Sequence, residues 1–213
     1  MRSGKSSDAS PVWGLVSDVH GNLPALEIAL EVLAGAGAQR LAFLGDYLGR
    51  GDSDGCVQRI RQVGEVAIVG NRDIDWQDRV SAESRAWVLG LPRSVSVGPL
   101  LLSHGDARLT PALGTNQIGR DFVRAFAEME RQQAYVWAFG HSHHARTWRK
   151  ASADRLAEPI AGDVAPINAN FRYFLNVGTT GLPFGGKGGP SIALVDFVRG
   201  ELRHIPLDRP APR

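Results

Sequence analysis

Val12-Trp13-Gly14-Leu15-Val16-Ser17-Asp18-Val19-His20-Gly21-Asn22 is the stretch on which the fold turns. Its apolar run, Val12–Ser17, is short and stops at Asp18, which reads as a buried strand ending in a polar turn. Helical spacing comes next, at Leu23, Leu26, Leu30 and Leu33. Asn22 is placed to cap the first turn of that helix and Gly35 to end it. Further along, Arg40–Leu44 is a second strand, cut off by Gly45-Asp46. Asp52 or Ser53 caps a second helix running to about Val63. Glu65–Val69 is a third strand, cut off by Gly70-Asn71. Strand, helix, strand, helix, strand is the signature of parallel strands joined by crossover helices, and it puts the chain in the α/β class.

The middle is less regular. Ser81–Gly90 reads as a short helix stopped near Pro92, and Val95–Val97 and Leu100–Ser103 as two strands about Gly98-Pro99. Gly119–Gln132 reads as a helix with Phe122, Val123, Phe126 and Met129 on one face. Tyr135–Phe139 is a further strand, ending in Gly140-His141. The last third reads mostly as strand: Ala145–Trp148, Phe171–Asn176, Ile192–Val198 and Leu202–Ile205. Ala151–Asn170, polar and containing proline, reads as a surface excursion, and Leu182–Pro190 as a glycine-rich loop.

The 213 residues suit one domain, spanning 11–206, between loose ends at 1–10 and 207–213. Hydrophobic residues at 43% and charged residues at 22% exclude a disordered, collagen-like or coiled-coil chain. Lys+Arg 24 against Asp+Glu 22 leaves a net +2, too little to argue for nucleic acid or a membrane surface. Lys5, Lys150 and Lys187 are the only lysines, and the arginine bias carries no function by itself. A lone cysteine, Cys56, points to a reducing, cytoplasmic setting and to a small core residue inside the second helix. No stretch reaches the roughly 18 apolar residues of a membrane span, and Met1–Ser10 lacks the apolar centre of a secretory signal.

The residues just past the strand ends carry the chemistry. Ser17-Asp18-Val19-His20-Gly21-Asn22, Gly45-Asp46, Gly70-Asn71-Arg72-Asp73, His104-Gly105-Asp106 and Gly140-His141-Ser142-His143-His144 each stand at one. Five of the six histidines lie there, with only His204 outside. The carboxyl ends of strands in open α/β sheets form the ligand crevice, so these side chains are expected to converge. In extended chain, residues two apart point the same way, so Asp18 and His20, or His141 and His143, could grip one ion or two adjacent ones. The flanking glycines allow sharp turns and close approach. Carboxylate, amide and imidazole donors without thiolate suit Mn, Fe, Zn or a related divalent ion.

Asp-x-His, Gly-Asp, Gly-Asn-x-Asp, His-Gly and Gly-His-x-His, in that order, resemble the calcineurin-like metallophosphoesterases over about Val12 to Val198. Asn176-Val177-Gly178-Thr179-Thr180-Gly181-Leu182-Pro183 is similar to the Asn-x-Gly-Ser/Thr loop of small bacterial members. The resemblance implies a four-layer α-β-β-α sandwich of two mixed sheets flanked by helices. It implies two divalent metal ions, one held by Asp18, His20 and His143, the other by Asn71, His104 and His141, with Asp46 bridging. It implies hydrolysis of a small phosphate ester or anhydride by a water that both metals acidify, and a site left net positive for a phosphate anion. Asp73 or Asp106 would then orient the histidines.

One position departs from the pattern. Many members carry His after Gly-Asn, where it is thought to protonate the leaving group; here it is Arg72. Arginine stays protonated, so it can clamp phosphate but not act as an acid near pH 7. Asp46, Asn71 and Arg72 are therefore the expected catalytic residues, with Arg72, Asn71 and His144 toward substrate. His144 could serve as a substitute acid, or else stand as a solvated histidine. Arg50, Arg108 and Lys187 read better as solvated charges, Trp76 and Phe184 as packing, and Asp52 and Asp54 as cap and turn residues. Gly185-Gly186-Lys187-Gly188-Gly189 lacks the spacing of a phosphate-binding Walker loop. The competing function is a scaffold: one retromer subunit shares this fold and works by binding partners. Seven competent ligand positions favour an enzyme. The sequence shows nothing of a homo-oligomer either way.

Overall fold

The computed structural model describes residues 11–105, 118–182 and 189–208, without the side chains of 118–122 and 124. The expectations placed on residues 1–10 and 209–213, on Asp106 and Arg108, and on Phe184 and Lys187 lie outside the described residues.

Two six-stranded mixed sheets face each other. The first takes β1 (Trp13–Val16), β2 (Arg40–Phe43), β3 (Val66–Ala67), β9 (Val164–Pro166), β11 (Ser191–Asp196) and β12 (Glu201–Pro206), in the order β3-β2-β1-β11-β12-β9. The second takes β4 (Ser94–Val97), β5 (Leu100–Ser103), β6 (Val136–Phe139), β7 (Arg146–Lys150), β8 (Glu158–Ile160) and β10 (Arg172–Asn176), in the order β4-β5-β6-β10-β7-β8. β1, β2 and β3 run parallel, as the opening pattern requires, and β5, β6 and β10 form a second parallel set. The site lies where both parallel sets end.

Alternation along the strands builds the layers. Leu15, Ala42, Leu44, Leu102, Ala138, Leu175 and Val195 fill the space between the sheets. Their neighbours Val16, Phe43, Ile192 and Leu194 turn outward against α1 (Leu23–Gly35), α2 (Ser53–Val63) and α4 (Ala82–Leu89). On the far side Leu101, Trp137, Phe139 and Phe174 pack against α5 (Ile118–Arg131). Helices, sheet, sheet, helix give four layers. The helix starts obey local chemistry: Asn22, Asp52 and Ser81 side chains accept from Ala25, Gly55 and Ser84 N–H groups. Cys56 is buried in α2, where burial pushes its thiol up to about 12.

Three expectations fail for identifiable reasons. The stretch 151–170 is more than a surface excursion, because it carries β8 and β9. Both are edge strands, where Pro159 and Pro166 cost no ladder bond that a central strand would need. Val123 is turned outward from α5, whose described buried face is Ala125, Phe126 and Met129. The third strand keeps only Val66–Ala67, since the chain leaves the sheet early to enter a single helical turn, α3 (Asn71–Asp75).

One polar contact bridges the sheets. His204 Nε2 on β12 and Thr147 Oγ1 on β7 share a hydrogen bond of 3.0 Å, while His204 Nδ1 is buried with no hydrogen-bond partner among the described residues. Burial pushes this imidazole down to about 4, against the opposing charge of Asp163. The unfolded chain, with its histidine near 6.5, takes up the proton first, so stability is full above pH 6.5 and falls toward pH 4. At about 1.4 kcal/mol per unit the loss is about 3 kcal/mol. A His204→Gln variant is expected to show a flatter melting temperature between pH 7 and 4 than the parent. Equal slopes would remove His204 from the acid limb.

Candidate functional site

The loops beyond the strands continue to pair after the sheets end. Asp18, His20 and Gly21 N–H groups donate to the Gly45, Asp46 and Tyr47 carbonyls at 3.0, 2.9 and 2.8 Å. Gly140 N–H donates to His104 O, and Thr180 and Gly181 N–H groups donate to Ser17 and Asp18 carbonyls. Asn176 Nδ2 donates to Gly140 O and Ser142 Oγ, and its Oδ1 accepts from Gly178 N–H. The result is a braced floor from five separate segments. Its tightness needs Gly49, where an added Cβ would fall 2.0 Å from His20 O.

The backbone at the site differs from the extended reading. Asp18, His20, Asp46, His141 and His143 all have φ between 52 and 70°, and among the described non-glycine residues only Gln133 joins them. Left-handed backbone at a non-glycine residue costs on the order of 1–3 kcal/mol and clusters where function requires it. The Asp-x-His and His-x-His spacings thus work through turns. The two histidines of the second pair go to different places. His143 comes beside Asp18 and His20, while His141 comes beside Asn71 and His104.

Seven side chains converge. His143 Nε2 lies 3.0 Å from Asp18 Oδ1 and 3.1 Å from His20 Nε2. His104 Nε2 lies 3.2 Å from both Asp46 Oδ1 and Asn71 Oδ1, and His141 Nδ1 lies 2.9 Å from Asn71 Oδ1. Asp46 sits between the two groups, with Oδ2 3.9 Å from His20 Nε2. Asp18, His20 and His143, and separately Asp18, Asp46 and His104, bring ligand atoms within 4.8 Å of one another.

These atoms fit a cation better than they fit each other. Donors around one ion at about 2.0–2.2 Å stand about 3 Å apart, the spacing found here. Asp18 Oδ2 accepts from Ser17 Oγ at 2.6 Å and His141 N–H at 2.9 Å, but buried Oδ1 has no aligned hydrogen bond. His104 Nδ1–H donates to Leu44 O at 2.6 Å and His143 Nδ1–H to Leu182 O at 2.7 Å. Each bond turns the opposite ring nitrogen, Nε2, into the cluster, as a metal-binding histidine requires. Burial works against ionised Asp18, yet the charge of His104 and the close approach of the His143 and His20 rings hold its carboxyl well below the usual range. Burial would likewise lower His104, but Asp18 and Asp46 outweigh it and push the imidazole up to about 9. Burial and His104 push His141 down, whereas hydrogen bonding and charge from Asp18 lift His143 despite its burial. The buried carboxylates Asp18 and Asp46 make this pocket favourable for positive charge.

Asp73 does something other than orient histidines. Its Oδ2 accepts from Asp46 and Gly70 N–H groups at 3.0 and 2.8 Å, and its Oδ1 from Tyr47 and Leu48 N–H groups at 2.8 and 3.1 Å. It fixes the loop that carries Asp46. Burial and the neighbouring charge of Asp46 push its carboxyl up to about 6. His104 and His143 are oriented instead by main-chain carbonyls, which no side-chain motif could announce.

A cavity of about 510 Å³ opens over the cluster. Arg72 lines it from α3, with its N–H on Asp46 Oδ1 at 2.7 Å and its guanidinium 3.6 Å from Asp75. Arg50 and Trp76, read from sequence as a solvated charge and as packing, also line it. His144 does not; its Nδ1–H donates to Ser142 O at 2.6 Å and its side chain is exposed.

Comparison with known proteins agrees with this architecture. The metallophosphoesterase from Sphaerobacter thermophilus superposes with a TM-score of 0.75 over 91% of this chain and 86% of that one, at 24% identity. The phosphoesterase Yfce from E. coli gives 0.50 over 87% and 88%, at 25% identity. An uncharacterized protein of Methanocaldococcus jannaschii is 37% identical over 60 residues, which is 28% of this chain and only 25% of that protein's length. A model of the calcineurin-like phosphoesterase superfamily domain matches residues 12–200, from the residue before β1 to the turn after β11, and the chain belongs to that superfamily.

Proposed function

We propose that the protein is a metal-dependent phosphoesterase acting on a small soluble phosphate ester or anhydride. The observation that carries this reading is the buried Asp18 Oδ1, which lacks an aligned hydrogen bond within a cluster of nitrogen and oxygen donors about one ion's edge apart. Asp18, His20 and His143 would hold one divalent ion, Asn71, His104 and His141 a second, and Asp46 both. The donor set suits Mn, Fe or Zn. When bound, the ion pair supplies a water acidified toward neutral pH and positive charge for phosphoryl oxygens.

The chain's own residues do the rest. Asn71 and Asp46 fix the reacting group's place on the hydrogen-bonded floor. Arg72, permanently charged and held by its own N–H on Asp46, clamps phosphoryl oxygens from the cavity side. It donates no proton to a leaving group. A positioned general acid is worth about 10²–10⁴ in rate, and its absence falls on poor leaving groups. With Mn added, p-nitrophenyl phosphate is therefore expected to turn over about 10² times faster than phenyl phosphate. A flat dependence on leaving-group pKa would overturn the role given to Arg72. The broader test is a panel of monoesters, diesters, including bis(p-nitrophenyl) phosphate, and dinucleoside polyphosphates. No metal-dependent turnover anywhere in it would favour the scaffold reading.

A further inference from the structure

Thr179 ties together two donors that lie far apart in the chain. It is fully buried in the loop after β10, and its hydroxyl uses both of its capacities, as donor and as acceptor. Oγ1–H donates to Asp18 O at 2.9 Å, and Oγ1 accepts from Leu182 N–H at 3.1 Å. Leu182 O in turn accepts from His143 Nδ1–H at 2.7 Å. One hydroxyl thus joins the main chain of Asp18 to the carbonyl that orients His143, and His143 Nε2 lies 3.0 Å from Asp18 Oδ1.

Most of this loop is held several times over. Thr179 O accepts from Ser191 N–H at 2.8 Å, which fixes residue 179 to β11. Gly181 N–H joins Thr179 on the Asp18 carbonyl at 3.0 Å, and Asn22 Nδ2 donates to Gly181 O at 3.1 Å. The chains pass so closely that a Cβ at Gly181 would fall 1.8 Å from Val19 O. Leu182 N–H, by contrast, has no other hydrogen-bond partner among the described residues. Losing the Thr179 hydroxyl therefore leaves Asp18 O with Gly181 but releases Leu182, the acceptor that sets the His143 ring. The other group of donors is served differently. His104 takes its orientation from Leu44 O, and among the described residues no hydrogen bond joins 179–182 to Asn71, His104 or His141.

We propose that Thr179 is a positioning residue for one ion of the pair. It sets the affinity of the site made by Asp18, His20 and His143, and leaves that of Asn71, His104 and His141 as it is. The proposal rests on the two-ion reading above and adds a residue to it. Partners that orient a ligating histidine are worth about 10–100-fold in metal affinity, and Thr179 acts on such a partner through Leu182.

The test is calorimetric titration of Mn into the full chain freed of metal. Thr179→Val keeps the branched shape and loses both bonds. It is expected to bind one Mn as the parent does and the other about tenfold or more weakly. Thr179→Ser keeps the hydroxyl and should stay within about threefold of the parent at both sites. His141→Ala, which strips a donor from the other site, identifies the affected one: adding Thr179→Val to it should again cost about tenfold at the tighter site that remains. Equal weakening at both sites, as from a loop that only loosens the fold, overturns the proposal, and so does a Thr179→Ser variant that behaves like Thr179→Val. Hydrogen exchange on the parent needs no variant: the Leu182 amide should be protected, and exchange at the rate of free peptide overturns the link to Thr179. A parent that takes up fewer than two Mn sinks the two-ion reading and the proposal with it. Uptake of two that Thr179→Val leaves untouched sinks the proposal alone.

Discussion

Asp46→Asn is expected to abolish metal-dependent turnover while leaving the metal-free protein about as stable as its parent. The two halves have one cause. Asp46 is the group that lies between both sets of proposed ligands, so losing its charge should remove several kcal/mol of electrostatic support from the site, about 10³-fold in rate. Yet Asn keeps the oxygen that accepts from Arg72 N–H, so the loop keeps its anchor. Without metal, the native carboxylate lies close to buried Asp18 and Asp73 and helps to raise the latter's pKa. Removing it relieves that like-charge repulsion and also gives up its attraction for the His104 ring 3.2 Å away, so the two changes offset each other. The measurement is a pair of thermal melts, with and without Mn, beside an assay on p-nitrophenyl phosphate. The parent should gain stability with Mn, as any ligand of the native state confers, and Asp46→Asn should gain almost none. A variant that keeps turnover, or keeps the Mn-dependent gain, removes Asp46 from the centre of the site.

The same loops show how far a sequence can be read. The Asp-x-His and Gly-His-x-His runs stand out because histidine and glycine are both specific in what they do. The caps at Asn22 and at Asp52, one of two neighbouring candidates, are legible because a cap is settled within three residues. What escaped is non-local or main-chain. β8 and β9 exist only because strands β7 and β12 offer them an edge. Asp73 looks like any carboxylate near a histidine, and its four amide partners include three from a loop 25–27 residues away. Leu44 and Leu182 orient His104 and His143 through carbonyl groups that every residue type carries. The left-handed angles at five site residues have no compositional mark, since Asp and His tolerate them without requiring them. Val123 failed for another reason: helical spacing finds a face but not its width, and the described buried face is Ala125, Phe126 and Met129.

Gly140→Ala and Gly35→Ala make the same chemical change and are expected to move stability in opposite directions. At Gly35, the last residue of α1, an added methyl meets nothing within 4 Å. Alanine there restricts the unfolded chain and favours helix, a gain of up to about 1 kcal/mol. Gly140 follows β6 directly, and no left-handed angle is involved; the constraint is space. Its added Cβ would fall 1.9 Å from Ser17 Oγ and 2.3 Å from Asp18 Oδ2. Neither atom has a free path away, because Ser17 Oγ donates to Asp18 Oδ2 and that oxygen also accepts from His141 N–H. Relief therefore means parting the β1 and β6 loops, which carry Asp18 on one side and His141 and His143 on the other. Overpacking of this kind costs about 3 kcal/mol, and at about 2–4 °C per kcal/mol the melting temperature should fall by about 6–12 °C. Mn affinity should fall with it, because the ligand atoms no longer share one centre, whereas Gly35→Ala should leave Mn affinity at the parental value. An alanine at 140 that is tolerated with full Mn affinity would mean that the close approach of these two loops is not what holds the ligands together.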